Sequence, residues 1–327
     1  MKNLKTPAVI FLLLVSLPLT KSFPQTAHLA KPFNQETLDQ WMDEVSNWGR
    51  WGEDDQLGTL NLITPQVRKE AARLVQTGHS VSLAMELDTN SGLNNSQPLE
   101  HTFTRMGQWT MDTYSISYHG YAHSHLDAQR HIAKDGKIYN GYPEENLDQP
   151  GAGNMGVHHM KNGIFSRGLL VDVPRLKGIP YLEPATSITI EDLEAWEKET
   201  GITIRSGDVL LIRTGRWARE KELGPWNFVE AAAGLHASTA VWLKQRDVAV
   251  LGSDGTADVL PSGNENQSHP IHQLVLIGMG MPLLDNLNLE DVAAVAVAHN
   301  RWEFLLVVAP LRIVGGTGSP LNPIATF

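Results

Sequence analysis

Short apolar runs alternate with helix-like stretches along this chain, and that alternation limits the fold more than any other feature. Strand-like runs fall at residues 81–87, with Val81, Leu83, Met85 and Leu87 on one face, and at 169–173, 208–212, 248–251 and 304–308, the last read as the final strand. Between them, 64–74 predicts a helix with Pro65 in its first turn. Residues 189–199 predict another, with Thr189 as N-cap, Glu191 and Asp192 in the first turn, and Gly201 as its stop. Residues 236–245 and 289–299 complete the helical set. Residues 41–61 carry Trp41, Trp48 and Trp51 among Gly and Asp and read as a packed loop, and 92–98 read as a polar one. No linker, repeat or low-complexity tract interrupts the pattern, so a single α/β domain is expected.

The 327 residues suffice for one large domain or two small ones, and 42% apolar with 19% charged residues is ordinary for a globular protein. A formal net charge of −10, with no run of Lys or Arg, is repelled by phosphate backbones and argues against nucleic acid as a partner. Lys2 and Lys5 precede an almost wholly apolar stretch at 8–19, which is shorter than the roughly 20 residues of a spanning helix. The expectation is a signal peptide over 1–25, cleaved somewhere in 20–30, and an exported protein, periplasmic or secreted. An uncleaved anchor is the alternative, and no stable membrane span is expected after processing. The chain has no cysteine, which removes disulfides, thiolate nucleophiles and Cys-ligated zinc. Any metal must be held by His, Asp or Glu.

Four of the 13 histidines fall in the segment HGYAHSHLDAQRH at 119–131. If 121–127 is extended, His123, His125 and Asp127 share a face, as does His119 if the strand starts that early. Gly120, Ala122, Ser124 and Leu126 take the other face. Imidazole and carboxylate donors so arranged suit Zn, Mn or Fe(II). His131 lies four residues past Asp127, beyond the strand, where it could act as acid or base beside a metal. The plain alternative is a solvated polar strand, or histidines satisfied by backbone partners.

Other features carry less. The Gly-rich 315–320 reads as a tight turn, since it lacks the Lys and following helix of a phosphate loop. Ser253 follows a strand without a Gly-x-Ser-x-Gly elbow. Asn94 and Asn266 begin glycosylation-type triplets that recur by chance. His158 and His159 read as a surface pair or as pocket lining. Trp48 and Trp51 read as stacking residues for an aromatic substrate or as packing.

Aligned on Asp127, the histidine segment resembles the His-x-Gly-Thr-His-x-Asp-x-Pro-x-His signature of the putative cyclase family, which includes kynurenine formamidases and isatin hydrolases. The second His falls on His125, the Asp on Asp127 and the last His on His131, while Ser124 stands for Thr. The sequence departs where the first His falls on Tyr121, the Gly on His123 and the Pro on Gln129. The stretches at 51–61, 269–289 and 304–323 also resemble the longer branch of that family. The resemblance implies a mixed central β-sheet flanked by helices, the swivelling β/β/α fold of kynurenine formamidases, over a catalytic domain at 31–327. It implies a metal held by His125, Asp127 and a third ligand. Strand spacing of roughly 6.6–6.8 Å per two residues favours His123 for that place. The resemblance favours His119, with Gly120 free to bend the chain. It assigns catalytic roles to His131, His272 and Asp285, the last where the family carries Glu, so one Zn or Mn ion is expected and a second is left open.

The implied activity is arylformamidase-like hydrolysis of an amide, cyclic amide or ester of a small molecule by metal-activated water, in a homo-oligomer. The rivals are a lyase or ring-closing cyclase on the same scaffold and a non-catalytic exported metal- or ligand-binding protein.

Overall fold

The structure, a computed structural model, describes residues 27–144 and 153–327; the signal peptide expected over 1–25 lies outside them. The strands in chain order are β1 (Ser80–Ser82), β2 (Glu100–Met106), β3 (Trp109–Ser115), β4 (His125–Asp127), β5 (Ile164–Asp172), β6 (Ser187–Ile188), β7 (Val209–Arg213), β8 (Gly234–Leu235), β9 (Val250–Ser253), β10 (Leu283–Asp285), β11 (Glu303–Val308), β12 (Gly318–Pro320) and β13 (Ile324–Thr326). Nine form one mixed sheet in the order β1-β13-β11-β5-β7-β9-β10-β4-β12. The central β5, β7, β9 and β10 are parallel, and the strands on either side pair antiparallel. Parallel strands covered on both faces must be apolar throughout. Leu169, Leu170, Val171, Val209, Leu210, Leu211, Val250 and Leu251 are accordingly fully buried. The mixed α/β domain expected from the alternation is the one observed.

The helix signals act locally as read. Thr64 accepts from the Val67 N–H and caps helix Pro65–Ala72. Thr189 and Asp192 form a capping box on Ile190–Thr200, and Gly201 ends that helix at φ 68°. The helix Glu290–His299 matches its expected span.

Four expectations are corrected. Trp41 does not sit in a loop: helix Gln35–Val45 runs through it, capped by Asn34 and anchored by buried Leu38 and Val45. The strand expected at 81–87 is paired only at Ser80–Ser82, because β13 offers only Ile324–Thr326 opposite it. The extended run at 121–127 is a strand only at His125–Asp127, because Gly120 adopts φ 147° and Asn286 Nδ2 donates to the Gly120 and His123 carbonyls, turning the backbone. The run at 304–308 is not the last strand, since β12 and β13 follow it in a Gly- and Pro-rich segment.

Candidate active site

The site grows from β4. Its three residues put Leu126 into the core and His125 and Asp127 on the opposite face. On one side β10 sets Asp285 directly opposite His125, so their side chains share that face. On the other side β12 sets Gly318 opposite Asp127. A Cβ at Gly318 would lie 2.1 Å from the Leu126 carbonyl oxygen and 3.0 Å from His119 Cε1, so only glycine leaves room for the His119 ring.

His119 reaches Asp127 because the chain folds back at Gly120. Its Nδ1 stands 2.9 Å from Asp127 Oδ1. Its Nε2 hydrogen-bonds the Thr317 hydroxyl at 2.9 Å. His125 Nδ1 donates to the His123 carbonyl (2.8 Å), which leaves Nε2 as a lone pair 3.4 Å from Asp127 Oδ1. His272 Nδ1 donates to Asp258 Oδ2 (2.6 Å), which leaves its Nε2 3.6 Å from Asp127 Oδ2 and 3.4 Å from Asp285 Oδ2. Asp258 also accepts the Ile271 and His272 backbone N–H groups and so fixes the turn that presents His272. Each of the three imidazoles has its outer nitrogen tied and its inner one aimed at Asp127. That is how metal-ligating histidines are oriented.

The donor set fits a divalent cation. His119 Nδ1, Asp127 Oδ1 and Asp285 Oδ1 are buried and make no hydrogen bond. Two groups, His119 with Asp127 and His131, and His125 with Asp127 and Asp285, each bring one donor atom per residue within 4.8 Å of the others. They meet at Asp127. Burial alone would lower the pKa of His125 and His272, but the carboxylates around them outweigh it. Asp127 acts on both, and Asp258 and Asp285 hold His272 well above its ordinary value. Burial likewise opposes the charge on Asp127, yet His125, His119 and His272 keep its carboxyl well below the usual range. Anionic oxygen beside imidazole nitrogens in a largely buried site draws a cation, a proton or a metal ion that would take the proton's place.

His131 stacks on His119, with ring centroids 4.1 Å apart, and its Nε2 lies 3.9 Å from Asp127 Oδ2. Burial and the neighbouring imidazoles push its pKa down to about 4 against the pull of Asp127. His123 is not brought into this group: its ring is buried, but neither ring nitrogen meets a partner. Tyr121 packs on Phe228 at 5.6 Å between centroids. Trp48 donates its indole N–H to the Ile277 carbonyl (2.7 Å) in a groove with Asp39, Met42 and Lys134, and Trp51 lies under the Arg50 guanidinium. His158 and His159 pair with each other; the first accepts from the Gly315 N–H and the second hydrogen-bonds the Gly153 carbonyl.

Several supporting residues escaped the sequence reading. Thr317 lies in the Gly-rich turn, and Asp258 is 14 residues before His272 with no local pattern to mark it. Asn286 follows Asp285 at φ 54°, a left-handed conformation that asparagine tolerates. The buried Arg216 donates to Asn286 Oδ1 (2.6 Å) and to the Tyr121 carbonyl, with its guanidinium 3.9 Å from the Phe228 ring centre. The 51–61 motif also supports the site: Asp55 accepts the Gly58 N–H and the Asn61 amide, and Gln129 donates to the Leu57 and Gly280 carbonyls.

Residues 81–257 match a family model described as a putative cyclase. A solved structure described as a novel cyclase is similar at 32% identity and a TM-score of 0.79, over 86% of this chain and 99% of that one. Isatin hydrolase A from Labrenzia aggregata, bound to benzyl benzoate, shares the fold at 20% identity and a TM-score of 0.56, over 80% of this chain and 96% of that one. An isatin hydrolase bound to the product analogue thioisatinate shares it at 18% identity and a TM-score of 0.54, over 79% and 94%. No curated protein matches the chain.

Proposed function

This chain belongs to the putative cyclase family, and from that premise we propose that it is a metal-dependent hydrolase opening an amide, cyclic amide or ester bond of a small aromatic molecule. The observation that carries the reading is the set of inward nitrogens of His119, His125 and His272 around the carboxylates of Asp127 and Asp285. Those residues would hold one Zn or Mn ion. When bound, such an ion polarises a carbonyl and acidifies water.

The remaining work falls to the chain. His131 is neutral at working pH, partly exposed, and beside Asp127, so its Nε2 can accept a proton from attacking water. It then returns that proton to the leaving nitrogen or oxygen. Asp258 and Thr317 hold His272 and His119 in single orientations. Beside the ligand loop a cavity of about 1010 Å³ is lined by Leu93, Tyr121, Ala122 and Trp217 together with charged groups that include Asp88, Arg216, Glu220 and Glu290, room enough for a small molecule. The naming of two relatives of this fold as isatin hydrolases supports a cyclic amide among the substrates.

The test is to strip the protein with a chelator, restore Zn²⁺ or Mn²⁺, and follow isatin and N-formyl-aniline turnover in ¹⁸O-labelled water. One ¹⁸O per product acid supports hydrolysis. Turnover without label supports the lyase or cyclase reading, and tight metal binding without turnover of either compound removes this substrate class. We also propose export, on the strength of Lys2, Lys5 and the apolar stretch at 8–19; N-terminal sequencing of the mature protein tests it.

A further inference from the structure

Tyr121 follows the Gly120 bend that brings His119 back to Asp127, and its backbone is tied on both sides. Asn286 Nδ2 donates to the Gly120 carbonyl (2.7 Å), and the Arg216 guanidinium donates to the Tyr121 carbonyl. The ring is held as well. It packs on Phe228 at 5.6 Å between centroids, in a cluster that also holds Trp226, Ala232 and Leu260. Phenylalanine would serve this packing equally well, so the hydroxyl is the part of the residue that the fold does not use. Among the described residues that hydroxyl has no hydrogen-bond partner.

The phenol stands where the cavity of about 1010 Å³ meets the metal-donor set. Tyr121 and Ala122 form the ligand-loop side of that cavity. The charges of His272, Asp285 and Asp258 all act on the phenol, and Leu260, which the ring packs with, closely follows Asp258 in the chain. The other polar groups on the cavity wall are committed or of the wrong kind. Asn94 already donates to the Trp226 carbonyl, Asn95 to the Asn90 carbonyl, Asn288 to Asp291 and Trp217 to the Leu287 carbonyl. The carboxylates Asp88, Glu220 and Glu290 only accept. Arg216 is engaged with Tyr121 and Asn286, and Lys221 is exposed. A carbonyl under attack needs a donor fixed beside its oxygen before the charge appears. On the side of the ligand loop, Tyr121 offers one and Ala122 does not.

We propose that the Tyr121 hydroxyl is a catalytic hydrogen-bond donor to the carbonyl oxygen of the bound substrate, a bond that strengthens as water attacks and negative charge gathers on that oxygen. The inference rests on the hydrolase reading above. The phenol keeps its proton throughout; it donates a hydrogen bond and no bond is made or broken at Tyr121. A hydrogen bond to a charged oxygen is shorter and stronger than one to a neutral oxygen. The contact therefore holds the attacked state more tightly than the substrate, and its loss registers in kcat more than in KM. The tied backbone and the packed ring keep the hydroxyl in place before the substrate arrives.

The experiment compares wild type with Tyr121→Phe, both stripped with a chelator and reloaded with Zn²⁺. The variant should keep its metal content and melting temperature. Its kcat for isatin or N-formyl-aniline should fall by about 10²–10³-fold while KM stays within about 3-fold. Phenylphosphonate, a tetrahedral oxyanion, should bind the variant about 10-fold more weakly by calorimetry. Unchanged kcat would overturn the proposal, as would a loss matched by lost metal or a lowered melting temperature. A wild type that turns over neither compound overturns the hydrolase reading instead. The hydroxyl is then judged by phenylphosphonate alone: weaker binding by the variant upholds its role as a donor to oxyanions, and equal binding, or none by either protein, overturns it.

Discussion

Asp258 and His272 form a hydrogen-bonded pair, Oδ2 to Nδ1 at 2.6 Å, and through it a carboxylate that never faces the centre decides which nitrogen of His272 does. Asp258→Asn should keep the Ile271 N–H bond through its one oxygen while losing the His272 N–H bond, the charge and the fixed tautomer. Metal affinity should fall about 10–100-fold, the usual effect of removing such an outer partner. Competition with a chromogenic chelator measures it; unchanged affinity would mean that His272 takes no part in binding.

The two candidate third ligands separate cleanly. His119 Nδ1 lies against Asp127, whereas neither nitrogen of His123 has a partner. His119→Ala should purify with little metal, and His123→Ala should keep most of it. Metal content per chain by plasma mass spectrometry decides. The reverse pattern would transfer the role to His123.

Asp127 is the carboxylate on which both candidate donor groups converge. Asp127→Ala should abolish metal binding and activity together, because among the described residues no other carboxylate lies against His119, His125 and His272 alike. Full occupancy with wild-type rates would remove Asp127 from the site.

His131 allows a test by pH. Its folded pKa of about 4 lies below the ordinary 6.5, so the unfolded chain takes up a proton first as pH falls. The residue costs nothing above pH 6.5, destabilises progressively from there down to about 4, and no further below. In chelator-treated protein, the urea midpoint of His131→Asn should drop less between pH 7 and 4.5 than that of wild type; parallel declines would contradict a buried neutral imidazole. In the loaded enzyme, His131→Ala should retain the ion and lose about 10²–10⁴-fold in rate.

Asn286 carries a structural load. Its amide holds the Gly120 and His123 carbonyls, its oxygen accepts from Arg216, and its φ is 54°. Asn286→Ala leaves a buried guanidinium short of an acceptor and puts a Cβ residue in a left-handed conformation. Stability should fall by about 2–4 kcal/mol in urea titration, and Asn286→Gly should recover only the backbone part.

What was legible in the sequence followed from local physics. The apolar strands at the parallel centre and the capped helices are written in residue type and spacing, because burial and capping act over a few residues. The histidine segment also announced itself by composition. Its shape did not: the parity reasoning that put His119 to Asp127 on one strand face failed before His125, since the turn depends on Asn286, more than 160 residues away. Asp258, Thr317 and Arg216 were illegible for the same reason. The β2–β3 hairpin was missed because its strands carry Thr, Met and aromatic residues on both faces, so no alternation marks it.

β4 is three residues long, and both its neighbours in the sheet, Leu283–Asp285 and Gly318–Pro320, come more than 150 residues later. During synthesis the histidine segment therefore emerges long before anything can hold it in place. A chain ending before Thr317 would contain His119, His125, Asp127, His272 and Asp285, yet lack one rail of the strand and the Thr317 hydroxyl that orients His119. The order of assembly is thus fixed by topology: the metal centre closes only after nearly the whole polypeptide has been made, and truncation of a dozen C-terminal residues should dismantle it without removing a single ligand.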